Sequence, residues 1–156
     1  MTEFKISLLI NRDIDTVVKA FVNPDNIPLY TKHLERFEIV EREPDLEGSV
    51  ARLHYLEGGK RYVMEDRMLH VEPGRKYVSQ VAGDAVEAHV ETTFERASEG
   101  TLMTVHWAGK AKVLALKLLF PLMRGRMARG AMEELETFKR LVETRGADFS
   151  VLNGKS

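Results

Sequence analysis

The chain has 156 residues, 44% hydrophobic and 30% charged, which is enough apolar mass for one sizeable core and too much for a disordered segment. Its 23 basic and 24 acidic residues leave a net charge of −1, so the global positive field of a nucleic-acid binder is absent and no nucleic-acid partner is expected. The longest uncharged stretch, Gly100 to Gly109, is ten residues, well short of a membrane-spanning helix, and the lack of cysteine removes disulfides, thiolate catalysis and cysteine-held metals.

The opening Met1-Thr2-Glu3-Phe4-Lys5 has no basic cap followed by an apolar run, so no secretion signal is read and a cytoplasmic address is expected. From Phe4, apolar residues alternate as Phe4, Ile6, Leu8 and Ile10, the period of a half-buried strand. Asp13 then precedes Ile14, Val17, Val18 and Phe21, whose spacing of three and four predicts a short helix capped by that aspartate. Asn23-Pro24 predicts the start of a second short helix carrying Leu29 and Tyr30.

Between Leu34 and Lys110, extended runs are divided by five turn signals: Pro44 to Gly48, Glu57 to Lys60, Pro73-Gly74, Gly83-Asp84 and Glu99-Gly100. Six strands in an antiparallel meander follow. From Val113 the period becomes helical, with Leu116, Phe120, Met123, Met127, Ala131, Leu135, Phe138 and Val142 on one stripe. A long terminal helix is expected, kinked or broken at Pro121, stopping near Gly146 and followed by a loose tail over 147–156. The domain is placed at 1–146.

This order of elements resembles the helix-grip fold of the START-like (SRPBCC) superfamily, which includes Bet v 1 relatives and polyketide cyclase/dehydratase-like proteins. The segments that carry the likeness are Asp13 to Phe21, Glu47-Gly48-Ser49, Val71 to Arg75, Thr93-Phe94-Glu95, Gly100 to Val105 and Leu135 to Lys139. The resemblance implies an α+β fold, a seven-stranded curved antiparallel sheet around a long C-terminal helix, with a cavity between them. It implies no particular reaction, because the superfamily serves lipid and hormone carriers, cyclases, quinone-binding proteins and ribosome-associated proteins.

Strand parity nominates the residues that would line such a cavity. Val86, Ala88, Val90, Thr92 and Phe94 share one face, as do Met103, Val105 and Trp107, and Tyr77, Ser79 and Val81. His89 and His106 then face outward. Met123 and Met127 are candidates for an adaptable helical wall, or simply core filler. The run Arg61 to Glu72 admits two registers. Apolar Leu69 and Val71 before Pro73 favour the one that turns Glu65 and Arg67 inward as a polar floor; the other turns Asp66 and His70 inward, a better acid–base couple. Candidate ligand-binding residues are therefore Tyr30, Glu65, Arg67, Tyr77, Ser79, Thr92, Trp107, Met123 and Met127.

There is no Gly-x-Ser-x-Gly elbow and no glycine-rich phosphate loop, and the five histidines are scattered singly, so no metal or cofactor is expected. Three functions stay open: binding of a small hydrophobic molecule such as a lipid, quinone or polyketide; a cyclase- or dehydratase-like enzyme using Glu65, Tyr30 or Tyr77 to move protons; and a partner-binding module. The last arises because Gly100 to Met132 contains Lys110, Lys112, Lys117, Arg124, Arg126 and Arg129 and no acidic residue, interleaved with apolar runs. Such a stretch suits a peripheral membrane contact, a protein contact or a homodimer, or is the solvated back of a core helix.

Overall fold

The computed structural model describes residues 1–151. Strand β1 (Thr2–Ile10) leads into helix α1 (Ile14–Val22), a 3₁₀ turn (Pro24–Asn26) and the single helical turn α2 (Ile27–Tyr30). Six strands follow: β2 (Leu34–Glu41), β3 (Val50–Glu57), β4 (Lys60–Glu72), β5 (Lys76–Ala82), β6 (Val86–Ala97) and β7 (Gly100–Ala111). Helix α3 (Leu114–Arg145) ends at Gly146. The sheet order β1-β7-β6-β5-β4-β3-β2 is a meander with the first strand returned to the last, and every pair is antiparallel.

Local chemistry explains the boundaries. Asp13 caps α1 by accepting from the Thr16 backbone N–H (3.1 Å) and hydroxyl (2.8 Å), bonds that hold its carboxyl below the ordinary aspartate value. Asn23 caps the 3₁₀ turn in the same way, accepting from Asp25 N at 3.1 Å. Gly100, at φ +139°, turns β6 into β7 where a side chain would collide with the Ile10 carbonyl.

Two expectations change. Helix α3 is not broken at Pro121 but runs unbroken from Leu114. Proline removes only the bond to the Lys117 carbonyl, and both residues are exposed, so water can replace the lost donor. The segment after Gly146 is also not loose as far as Ser150. Phe149 is fully buried, its N–H donates to Asn26 Oδ1 (3.0 Å), and its carbonyl accepts from Arg145 (2.8 Å). The remainder of the expected tail, 152–156, lies outside the described residues.

Two apolar clusters result. The larger joins α1, α3 and Phe149 to β1 and β5–β7 around Ile10, Val17, Phe94, Phe138 and Val142. The smaller, under β2 and β3, has Leu34, Ala51 and Leu53 as its buried members. Helix α3 packs chiefly on β1 and β7, the N-terminal side of the sheet. It therefore leaves the concave surface of β3–β5 uncovered, which is the geometric origin of the cavity.

Candidate functional site

Two adjoining lobes occupy the space between the clusters, with volumes of about 310 Å³ and about 620 Å³. Both are lined by Phe21, Tyr30, Leu53, Val81, Val90, Thr92 and Glu134, so they share a wall. The smaller lobe lies beneath α2 and β2–β5, bounded by Ile27, Phe37, Ala51, Met68, Tyr77 and Ser79. The larger reaches between α3 and the far ends of β6 and β7, bounded by Met103, Val105, Trp107, Ala131 and Leu135, with Tyr62, Ala85 and Val86 towards the hairpin tips. The size and the apolar walls are those of a small-molecule site.

The walls are held from behind. Trp107 stacks on Phe4 (5.3 Å, 13°) and meets Phe120 (6.1 Å). Its indole lies over Gly109, two residues along the same strand face, where any side chain would overlap the ring. Tyr30 packs edge-on to Phe138 at 4.9 Å, so the phenol is anchored by the larger cluster while facing both lobes.

Four polar groups define the electrostatics. Asp66, in the smaller lobe, has its carboxyl pushed up to about 6 by burial, with the Ser79 hydroxyl pulling the other way. Glu134 of α3 is raised by burial and partly restrained by the Lys32 backbone N–H, which donates to its Oε2 at 2.9 Å. Burial raises the hydroxyls of Tyr30 and Tyr55, and the neighbouring Glu134 and Asp66 charges raise them further. The arrangement is a mainly apolar chamber in which burial makes the Asp66 and Glu134 carboxyls and the Tyr30 and Tyr55 phenols resist ionisation, with Glu41, Arg42 and Glu57 also among its lining. It can enclose a hydrophobic body and exchange hydrogen bonds with a polar end.

Tyr30, Tyr77, Ser79, Thr92 and Trp107 all contribute to the cavity walls. The Tyr77 hydroxyl, however, accepts from the Gly74 backbone N–H (3.2 Å) at the β4–β5 turn, so only its ring faces the chamber. Ser79 Oγ also lies 3.6 Å from Met68 Sδ, so its single proton is shared between the thioether and Asp66.

Glu65 and Arg67 do not form a polar floor. They pair with each other at 2.9 Å on the outer face, both about half exposed. The cause is a β-bulge: pairing with β5 passes from Met68↔Ser79 to His70↔Val78 and skips Leu69. Alternation is reset there, so Met68 and Val71 both face the core while Leu69 is exposed. Val71 was a sound marker of the inside for its own end of the strand, but counting back by twos from it gives the wrong face before the bulge. The same reset separates Asp66, inside, from His70, which is exposed between Glu47 and Glu72.

Met123 and Met127 are half-buried on α3 but line neither lobe. That part of the helix crosses the β1 edge, where Arg124 Nε donates to the Glu3 carbonyl at 2.6 Å and Phe120 covers Trp107. The helix instead offers Ala131, Glu134 and Leu135 to the cavity. Glu134 was legible in principle, since it sits three residues after Ala131 and four before Phe138 on the apolar stripe, a carboxylate where the pattern asks for a hydrophobe.

The architecture has known counterparts. The Zhui aromatase/cyclase from a Streptomyces species superposes with a TM-score of 0.76 at 14% identity, over 92% of this chain and 94% of that one. A START superfamily protein from Mycobacterium smegmatis gives 0.73 at 14% identity, over 87% and 95%. The di-domain aromatase/cyclase StfQ of the steffimycin biosynthetic pathway gives 0.76 at 18% identity, the match covering 92% of this chain and 51% of StfQ. At such identities these likenesses establish the helix-grip fold alone. No curated protein matches by sequence. The family model described as "Polyketide cyclase / dehydrase and lipid transport" matches residues 1–143, and with the fold and the chamber in place the chain belongs to that family.

Proposed function

We propose that the protein binds a small, mainly hydrophobic molecule with one polar end in the two-lobed cavity between the sheet and α3. The observation that carries this is the cavity itself: mainly apolar walls from both clusters, a minority of polar side chains among which Asp66 and Glu134 have their carboxyls raised by burial, and a size in the range of ligand sites. A ligand hydroxyl, carbonyl or carboxylic acid would meet Asp66 in its protonated form at little cost, since that carboxyl titrates near 6. Native mass spectrometry of protein purified without detergent, followed by titration with fatty acids, quinones and polycyclic phenols, tests it. A bound mass or a saturable signal is expected; a clean apo mass with no binding across the panel overturns it.

A cyclase- or dehydratase-like activity is the second reading, favoured by the Asp66 and Glu134 carboxyl groups beside Tyr30. Both acids are raised towards the pH range where a carboxyl both donates and accepts protons. Neither Glu65, outside the chamber, nor the Tyr77 hydroxyl, committed to the turn, belongs to this reading. Asp66→Asn and Glu134→Gln variants that keep ligand affinity but lose turnover of a poly-β-ketone substrate would support it. Equal turnover by both variants would remove it.

A further inference from the structure

The outward side of the first half of α3 is not used by the cavity. Leu114, Leu118 and Leu122 are 76%, 75% and 82% exposed. Recurring every four residues, they form one ridge spanning about 80° of the helix. The ridge lies opposite the inward side, where Phe120 is buried and Leu116, Met123 and Met127 are half-buried. Helical geometry puts Lys117 on one flank of the ridge, Arg126 on the other and Arg129 along its continuation, while Arg124 sits nearer the inward side and donates to the Glu3 carbonyl. All four are exposed, and among the described residues none forms an ion pair with a carboxylate. No acidic residue occurs between Gly100 and Met132.

We propose that this half of α3 docks onto an anionic lipid surface, with the leucine ridge seated at headgroup depth and the flanking cations on the lipid phosphates. Charge complementarity selects this occupant. A two-fold contact between copies would set the same patch against itself, cation facing cation. The cations surround a convex ridge rather than lining a pocket, which matches a flat sheet of anionic groups, and an exposed apolar stripe bordered by Lys and Arg is the pattern of an interfacial helix. Position adds a consequence that rests on the ligand-binding proposal. The helix begins beside the cavity rim, where Lys112 donates through its backbone N–H to the Ala85 carbonyl (2.7 Å) and through Nζ to the Gly83 carbonyl (2.9 Å). Docking there would bring the larger lobe, of which Ala85 and Val86 form part, close to the bilayer from which a hydrophobic guest is drawn.

The test is co-sedimentation with phosphatidylcholine vesicles, with and without about one-third phosphatidylglycerol, in dilute and in ~0.5 M salt. Two triple variants accompany the unaltered chain: Leu114→Ser/Leu118→Ser/Leu122→Ser and Lys117→Gln/Arg126→Gln/Arg129→Gln. All six residues are exposed, so unchanged thermal melts are expected, and a fluorescent hydrophobic probe is titrated without vesicles to read the cavity separately. The expected result is binding to anionic vesicles that salt abolishes, on the order of a hundredfold weaker in the charge variant and at least about tenfold weaker in the ridge variant. Probe uptake should be unchanged in both. Docking is overturned if the unaltered chain ignores anionic vesicles, whatever protein it binds instead, or if the ridge variant binds them equally well. It is also overturned if sedimentation velocity finds a dimer that the ridge variant splits, which assigns the ridge to a second copy. Vesicle binding without probe uptake would leave docking standing and remove the cavity reading.

Discussion

The two apolar clusters are built from the same kinds of residue and end in opposite states. At the larger, Phe21, Phe94, Phe138 and Phe149 meet edge to face at centroid distances of 5.2–6.4 Å, and α1, α3 and the chain after Gly146 close over the sheet. At the smaller, β2 and β3 bring Leu34, Ala51 and Leu53 together, but the helix that packs on β2 there is the single turn α2. Packing is saturated where three elements converge and incomplete where the sheet curves away from its helix. The second condition makes a chamber, and the first supplies the stability that an unfilled chamber forgoes.

Truncation should expose this contrast most strongly. Phe138→Ala or Phe149→Ala is expected to cost about 3–5 kcal/mol, while Met64→Ala or Val81→Ala at the cavity wall should cost roughly 1–2 kcal/mol, because part of the space around them is already empty. Urea denaturation gives both values, and equal losses at the two places would dissolve the distinction. Next comes the clip that closes the large cluster. Buried Asn26 donates to the Ala20 (3.0 Å) and Ala147 (2.9 Å) carbonyls and accepts from Phe149 N, so Asn26→Leu should cost about 2–4 kcal/mol by leaving those groups unpaired.

The third test concerns charge at the open end. The folded Asp66 carboxyl titrates near 6, above its unfolded value, so the folded state holds the proton more tightly. Stability from this group is present at low pH and declines as pH rises from about 4 through 6, where ionisation must occur in a buried site. Asp66→Asn should therefore flatten the pH dependence and stabilise the protein above pH 6 by up to about 2–3 kcal/mol, read from denaturation midpoints at several pH values. A variant with the same pH slope as the unaltered chain would show the carboxyl to be solvated. The smallest effect on stability, and the sharpest on function, is expected from filling the chamber. Val90→Phe lines both lobes and should change stability by less than about 1 kcal/mol while weakening hydrophobic ligands at least about tenfold. A titration that finds unchanged affinity would move the ligand elsewhere.

Legibility followed the range of the interactions involved. The caps at Asp13 and Asn23, the five turns and the stop at Gly146 are local chemistry and were readable residue by residue. The face of β6 and β7 was readable too, because Val86 to Phe94 and Met103 to Trp107 alternate without interruption. The face of β4 was not, since a bulge at Leu69 leaves no mark in composition and reverses every inference drawn across it. Met123 and Met127 belong to the right stripe of α3, yet the stripe cannot tell which strand each turn will cover.

Strand period, helix period and turn residues act over a few positions, so the amino-acid sequence alone determined the elements and their order, and that order's resemblance to a known superfamily pointed to the helix-grip class. Which strands α3 lies upon, where β4 is bulged, and hence that Asp66 and Glu134 rather than Glu65 and Arg67 face the chamber, depend on contacts between residues far apart in the chain. Only the folded packing decides those, because a one-residue shift in a strand or a small displacement of a helix is nearly free locally and changes sides for everything attached to it.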